Sequence, residues 1–421
     1  MIRRTTKRRR IGFTLVELMI VIVIIGILMA LLLPVIIAAV RKANEARISG
    51  EIQTIAAGLS TFKNTYGEFP PSRVILSEIG CYSVANIGNA GNGQFVPPTT
   101  ADFTTPLSAV SQWYGIVNTA DFDQPTIRPD VSFGILADRS LRYLRRFFPK
   151  MLAPDPNGVN LATGKVPYWH DFNGNGVADA GFIYLEGHEC LVFFLGGIPN
   201  PTLNANGTIV YGTSGFGKIP AFPFSNAGVQ GSMSNASAQL MLSTNRTQPS
   251  YEFNGSRLID DDNDGIPGYI DPLSSGVDGR FYAYFSAYGN SGYDPNDVNS
   301  DEQDDLGSLL LVPYRVGNPV WNGTTNINTT ASPAPNPYTT SLPTPINGAG
   351  FDPNQSASYL NVNSYQIISA GGDRFYGPGG QYSNSGDKLP EPPNPPYSQQ
   401  VGIRIRENDN VTNFTSGRIA P

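Results

Sequence analysis

From Leu18 to Val40 the chain runs for 23 residues without a charged side chain. As a helix rising ~1.5 Å per residue, that run is roughly 35 Å long, against a hydrocarbon core of about 30 Å. The segment can therefore cross a membrane, and a helix is the form that satisfies its backbone donors and acceptors there. Arg3, Arg4, Lys7, Arg8, Arg9 and Arg10 precede it, with no acid among residues 1–12. Taking these six charges from the formal net charge of −6 leaves −12 for the rest of the chain. A basic flank on one side and a long acidic chain on the other predict a cytoplasmic N-terminus and a body on the far side of the membrane. The acidic remainder argues against nucleic acid as the main partner, because phosphate binding needs a basic footprint.

A secretory signal peptide has a shorter apolar stretch and small residues after it. Here the polar-to-apolar junction itself carries the signal, Arg10-Ile11-Gly12-Phe13-Thr14-Leu15-Val16-Glu17-Leu18. These residues closely resemble the prepilin signal of type IV pilins and type II secretion pseudopilins. The resemblance implies that prepilin peptidase cuts between Gly12 and Phe13 and methylates the new N-terminal Phe13. Glu17 separates this reading from a plain signal anchor, since a carboxylate in an apolar helix costs about 2.5–3.5 kcal/mol at mid-membrane and less near an end. In the resembled family the glutamate fifth from the cleavage site neutralises the N-terminal amine of a neighbouring subunit, and Glu17 is fifth counting from Phe13. Gly26 and Pro34 lie inside the apolar helix, and proline removes a backbone hydrogen bond, so a kink or local melting is expected near Pro34.

Beyond the apolar run, Ile48, Ile52, Ile55, Leu59, Phe62 and Tyr66 recur at spacings of three and four, with Arg47, Glu51, Gln53 and Lys63 between them. This is an amphipathic helical stripe, ended by Gly67, Pro70 and Pro71. The body that follows is rich in turn formers, with 45 Gly and 35 Pro in the chain and only 15% charged residues. One short helix is expected over Asp138 to Phe148, with Arg139, Arg142, Arg145 and Arg146 on its polar side, facing either solvent or an anionic partner. Strands are expected at Phe182 to Leu185, Leu191 to Leu195, Phe281 to Phe285, Leu309 to Val312 and Tyr365 to Ile368, forming an antiparallel sheet on the helix. Ala331 to Pro345 and Pro390 to Pro396 read as extended surface loops. The fold class is α+β: a long N-terminal helix packed on an antiparallel, loop-rich head. Its parts are a basic leader (1–12), a transmembrane helix (13–40), an amphipathic extension (41–66) and a globular extracytoplasmic head (67–421).

Asp260, Asp262, Asp264, Gly265 and Asp271 fit a calcium-loop pattern, in which alternating carboxylates wrap a hard cation and the glycine permits a sharp turn; Ile266 would add its carbonyl. Asp stands where an EF-hand has its bidentate Glu, and a solvated acidic turn is the alternative. Asp171, Asn173, Asn175, Gly176 and Asp179 make a similar start, but Phe182 at the twelfth position cannot ligate, and an Asn/Asp-closed turn fits equally. Near the C-terminus, Ile368 to Asp373 and Asp409 to Phe414 resemble the end of major pseudopilins, which implies Asp373, Asp409 and Asn410 as further calcium ligands. Asn410 departs from the acid usual in that family. Cys81 and Cys190 are the only cysteines, and both a bridge and two buried thiols remain open. His170 and His188 lack zinc-type spacing, and no phosphate loop or serine elbow is present, so no enzyme is expected.

The resemblance implies a filament subunit of a type II secretion pseudopilus or type IV pilus-like system. Its partners would be prepilin peptidase, other pilin-like subunits, an inner-membrane assembly platform and the membrane, with calcium as a structural cofactor. The alternative is a non-polymerising, membrane-anchored surface binding protein.

Overall fold

The computed structural model describes residues 15–78, 133–152, 170–176, 183–204, 207–225, 245–260, 263–273, 280–287, 293, 337–338, 340, 345–346, 350–351, 359–374, 376, 382–383, 389 and 404–419. Helix α1 runs from Leu15 to Tyr66, 52 residues and a contour of roughly 80 Å. It stays helical through Pro34, so the local melting expected there does not occur. The proline still costs the helix one amide donor.

The chain divides into two compact units, Met1–Ala46 and Arg47–Pro421. In the first, every described residue from Leu15 to Arg41 is exposed. The second unit starts inside α1 and takes its core from the predicted stripe. Ile48, Ile52, Ile55, Leu59 and Phe62 are all buried in the main apolar cluster. Burial of such side chains contributes on the order of 2 kcal/mol each before the entropy of ordering is counted. Phe62 meets the edge of Phe147 at 5.1 Å and of Phe194 at 6.0 Å between ring centroids. Gly67, with φ of +87°, ends the helix, and its N–H donates to the Lys63 carbonyl.

Strand β1 (Val74–Leu76) pairs antiparallel with β2 (Ile183–Leu185). Between them in sequence comes α2 (Phe133–Phe147), longer at its start than the periodicity indicated. Ser140 on α2 accepts a hydrogen bond from Ile75 N at 2.9 Å, tying the helix to β1. After β2 comes α3 (Gly187–Gly196), entirely buried. The sequence reading made Leu191 to Leu195 a strand, and the structure corrects this. A fully buried apolar run has no polar face to reveal its period. The deciding signal was the acid pair three apart: the Glu186 N–H donates to Glu189 Oε2 at 3.0 Å, closing a capping box.

Hairpin β3 (Thr202–Leu203) and β4 (Ile209–Val210) follows, then β5 (Leu258–Ile259) with β6 (Gly268–Tyr269). Strand β7 (Ala283–Ser286) pairs with β10 (Tyr365–Ser369), which pairs with β11 (Val411–Thr412), all antiparallel. Strands β8 (Pro345–Ile346) and β9 (Gly350–Phe351) form a further small pair. The described strands thus form several small sheets, the largest three-stranded, instead of the one sheet expected. Glycine and proline interrupt the pairing before a wider sheet can build. The expected strand at Leu309 to Val312 and most of the two proline-rich stretches lie outside the described residues.

A polar cluster anchors α1 to this body. Glu51 Oε2 accepts from Arg257 Nη1 at 2.9 Å and from the Tyr282 hydroxyl at 2.7 Å, and Oε1 accepts from the Tyr269 hydroxyl at 2.9 Å. Arg257 Nη2 also reaches Glu51 Oε1 and the Tyr269 hydroxyl. Burial pushes the Glu51 carboxyl up, but the Arg257 guanidinium and the two hydroxyls outweigh it, so the group lies below its ordinary value of 4.5. A depressed folded-state value means that the contribution is complete above the ordinary carboxylate range and is lost as pH falls through the depressed one. Glu51→Gln should therefore lower stability near neutral pH by about 1.5–3 kcal/mol, the range for a hydrogen bond to a charged group. The deficit relative to wild type should shrink below pH 4. Denaturant unfolding of the detergent-solubilised chain across pH measures both, and a deficit independent of pH would contradict the assignment.

Candidate functional site

The candidate site is the first half of α1. Among its exposed apolar side chains, Leu18 is 57% exposed and Met29 68%. Glu17 sits in the first turn of the helix. An acid there is favoured by the unsatisfied N–H groups and the positive end of the helix dipole. That placement lowers the cost of a carboxylate at the edge of an apolar segment without removing it. Gly12 and Phe13 lie outside the described residues.

The two carboxylate loops, about ninety residues apart in sequence, pack against each other. In each, the first carboxylate accepts the N–H of the sixth residue: Asp260 Oδ2 from Gly265 at 3.2 Å, and Asp171 Oδ2 from Gly176 at 3.1 Å. Both glycines have positive φ, +93° and +76°, a conformation that costs glycine little and other residues more. Asn173 Nδ2 donates to the Asp264 carbonyl at 3.2 Å. A Cβ on Gly265 would lie 2.8 Å from that of Asn173, so the loops could not approach as closely with another residue there.

The remaining loop side chains also make internal turns. Asp260 Oδ1 accepts from Asn263 N at 2.8 Å, and its Oδ2 from the Tyr211 hydroxyl at 2.6 Å. Asp264 Oδ1 accepts from Ile266 N at 2.7 Å, and Asn173 Oδ1 from Asn175 N at 3.1 Å. Asp262 and Asp179 lie outside the described residues. Among the described residues, no three His, Cys, Asp or Glu side chains gather closely enough to hold a metal ion. Next to the first loop, burial pushes His170 down to about 4, countered in part by its hydrogen bond with the Leu152 carbonyl, so the ring is neutral at neutral pH. Burial likewise lowers Arg246 to about 10, with the charge of Asp171 holding it up. It remains a cation beside that loop.

Asp271, twelfth in the second loop, is buried and turned toward β10. Its Oδ2 accepts from Ser369 Oγ at 3.0 Å, and its Oδ1 from Leu273 N at 2.9 Å. The C-terminal candidates do come together. Asp409 Oδ2 accepts from the backbone N–H groups of Gly372 at 2.7 Å and Asp373 at 2.8 Å. Asn410 is buried, and its Nδ2 donates to the Tyr376 carbonyl at 2.7 Å and the Tyr338 hydroxyl at 3.2 Å. Only an amide can donate in this way; a carboxylate at 410 could not. The amide oxygen of Asn410 is buried without a hydrogen-bond partner. Cys190 is buried on α3, with its Sγ 3.6 Å from the Leu185 carbonyl; Cys81 lies outside the described residues.

Sequence reasoning missed two features. One is the convergence of Arg257, Tyr269 and Tyr282 on Glu51; Glu51 was read only as a polar residue between stripe positions. The other is the pairing of the two loops. No local spacing encodes either, because both join residues far apart in the chain.

Residues 7–33 match the prokaryotic N-terminal methylation motif. The N-terminal segment is pilin-like. It is 37% identical over 67 residues to a type II secretion system core protein G of Pseudomonas aeruginosa, covering 16% of this chain and 47% of that protein. Over 77 residues it is 44% identical to a type IV major alpha-pilin of Moraxella bovis, covering 18% of this chain and 45% of the pilin. Another type II secretion system core protein G, from Aeromonas hydrophila, is 38% identical over 64 residues. The chain thus spans about half the length of the curated relatives it matches. No solved structure matches it.

Proposed function

We propose that this chain is a prepilin-like subunit that is cut between Gly12 and Phe13 by prepilin peptidase, methylated at Phe13, and assembled through α1 into a pseudopilus or pilus-like filament. One observation carries the reading: a single helix whose first half is apolar, exposed and marked by one acid, and whose second half forms part of a folded core. An apolar surface of this length must be covered by lipid before assembly and by other helices after it. The basic leader holds the N-terminus in the cytoplasm, and the body lies outside the inner membrane.

Cleavage frees an amine at Phe13, four residues before Glu17. Carboxylate and ammonium are each costly in an apolar bundle, and together each offsets the other's charge. That pairing, between neighbouring copies, sets the stagger at which α1 helices pack. The work of the protein is mechanical: either moving secreted cargo as part of a pseudopilus, or forming a surface fibre. Assembly needs an inner-membrane platform as a further partner.

Calcium is proposed as a structural cofactor of the head. The loop of Asp260, Asp262 and Asp264, with the Ile266 carbonyl, is the best donor set, and its turn is already closed by Gly265. The Asp171 loop packs beside it, and Asp271 ties it to β10. At the C-terminus, the buried Asn410 oxygen is the acceptor that a cation beside Asp373 and Asp409 would use.

Glu17→Ala tests the assembly step. Filament yield in a producing strain should fall at least tenfold while the protein still inserts in the membrane, because removing the acid makes insertion easier. Wild-type levels of filament from the variant would contradict the pairing. For calcium, a site held at 100 times its dissociation constant adds about 2.7 kcal/mol. The melting temperature of the intact chain should then fall by roughly 3 °C on chelation, given its 421 residues. Identical melting with calcium and with chelator would remove calcium from the account.

A further inference from the structure

The two carboxylate loops are built alike but charged differently. At their first, third and fifth positions the Asp260 loop has Asp260, Asp262 and Asp264, three carboxylates, whereas the Asp171 loop has Asp171, Asn173 and Asn175, one carboxylate and two amides. Arg246 stands beside the Asp171 loop. Residues 245–247 run along 216–218: the Lys218 N–H donates to the Asn245 carbonyl at 2.9 Å, the Thr247 N–H to the Phe216 carbonyl at 2.7 Å, and Arg246 forms an antiparallel bridge with Gly217. The Gly217 N–H donates to the Pro223 carbonyl at 2.8 Å, and the carbonyl of the next residue, Phe224, accepts the Asp171 N–H at 3.3 Å. This backbone path carries Arg246 to the start of the loop. Both Nη atoms of Arg246 and Oδ1 of Asp171 are buried, and the Asp171 charge supports that of the arginine. Glu78, another buried carboxylate here, accepts the Phe172 N–H at 2.9 Å. Arg257, three residues before Asp260, is engaged with Glu51.

We infer that Arg246 is the fixed counter-ion of the Asp171 loop: this loop folds on a side-chain cation, and the pair of loops takes one calcium ion, in the Asp260 loop. The second half of the inference rests on the calcium reading above; the first does not. A buried carboxylate is costly unless a charge of opposite sign lies near it. One carboxylate is matched by one guanidinium, whereas three carboxylates carry more charge than a single arginine offsets and suit a divalent ion that takes oxygen ligands. The amides of Asn173 and Asn175 fit the same account, because they lower the charge of the loop and, unlike carboxylates, can donate. Asn173 uses that capacity, its Nδ2 donating to the Asp264 carbonyl at 3.2 Å. The arginine-balanced loop is therefore a platform that holds the fifth residue of the other loop in place, independently of the ion.

The test uses the full-length chain in detergent, with bound calcium counted by equilibrium dialysis and melting followed with calcium and with chelator. Asp171→Asn keeps an oxygen for the Gly176 N–H, so the loop can still close, and Arg246→Lys keeps the positive charge. Wild type and Asp171→Asn should hold the same number of calcium ions, and Asp260→Asn one fewer. Asp171→Asn and Arg246→Gln should each lower the melting temperature by about 3 °C, equally with calcium and with chelator. The double variant should lose clearly less than the sum of the two, and Arg246→Lys should keep most of the wild-type value. Additive losses would overturn the counter-ion assignment. One ion fewer in Asp171→Asn, or a loss seen only with calcium, would overturn it in favour of a metal in the Asp171 loop. Wild type with no calcium bound would overturn the single ion and the calcium reading together, while a non-additive pair would still uphold Arg246 as the counter-ion.

Discussion

The structure depends on α1 being one helix with two environments. Its backbone hydrogen bonds continue from Leu15 to Tyr66, but the side chains change their solvent between Val40 and Ile48. Before that boundary the described side chains are exposed; after it, five of them lie within the apolar core. A helix alone gains little from propensity. Its second half is held because Phe62, Leu59 and Ile55 complete a core that the body, with short strands and many turns, could not close by itself. The Glu51 cluster adds direction to that packing, since a carboxylate with an arginine and two hydroxyls fits one rotation and one depth of the helix. Apolar contacts alone would tolerate neighbouring registers.

Turn chemistry organises the rest. At several sharp turns among the described residues, an aspartate side chain accepts a backbone N–H: Asp260 from Gly265, Asp171 from Gly176, Asp409 from Gly372 and Asp373. These contacts give loops the rigidity that wider sheets supply elsewhere. They also join distant parts of the chain. Asp271 and Ser369 link the second carboxylate loop to the strand that carries the C-terminal motif, so order in either supports the other.

The N-terminal region was legible because its signals are local and periodic. Charge-free length, the Gly12-Phe13 junction, Glu17 and the stripe from Ile48 to Phe62 can all be read within one turn or one span. The body was only partly legible. The β2, β7 and β10 runs were read from branched and aromatic residues between breakers. Helix α3 was misread, because complete burial removes the polar-apolar alternation on which periodicity relies. The calcium-type loops were found as patterns, but the redirection of Asp271 toward Ser369 and the use of Asn410 as a donor are tertiary facts with no trace in spacing.

The central claim is that the mature protein starts at Phe13 and that the apolar half of α1 works between helices of neighbouring copies. Intact-mass analysis with N-terminal sequencing of native protein extracted from the membrane tests it most directly. The account predicts a chain that begins at N-methylated Phe13 and retains Glu17. A chain that begins at Met1, or one cut after the apolar segment, would contradict it and leave an anchored or released binding protein.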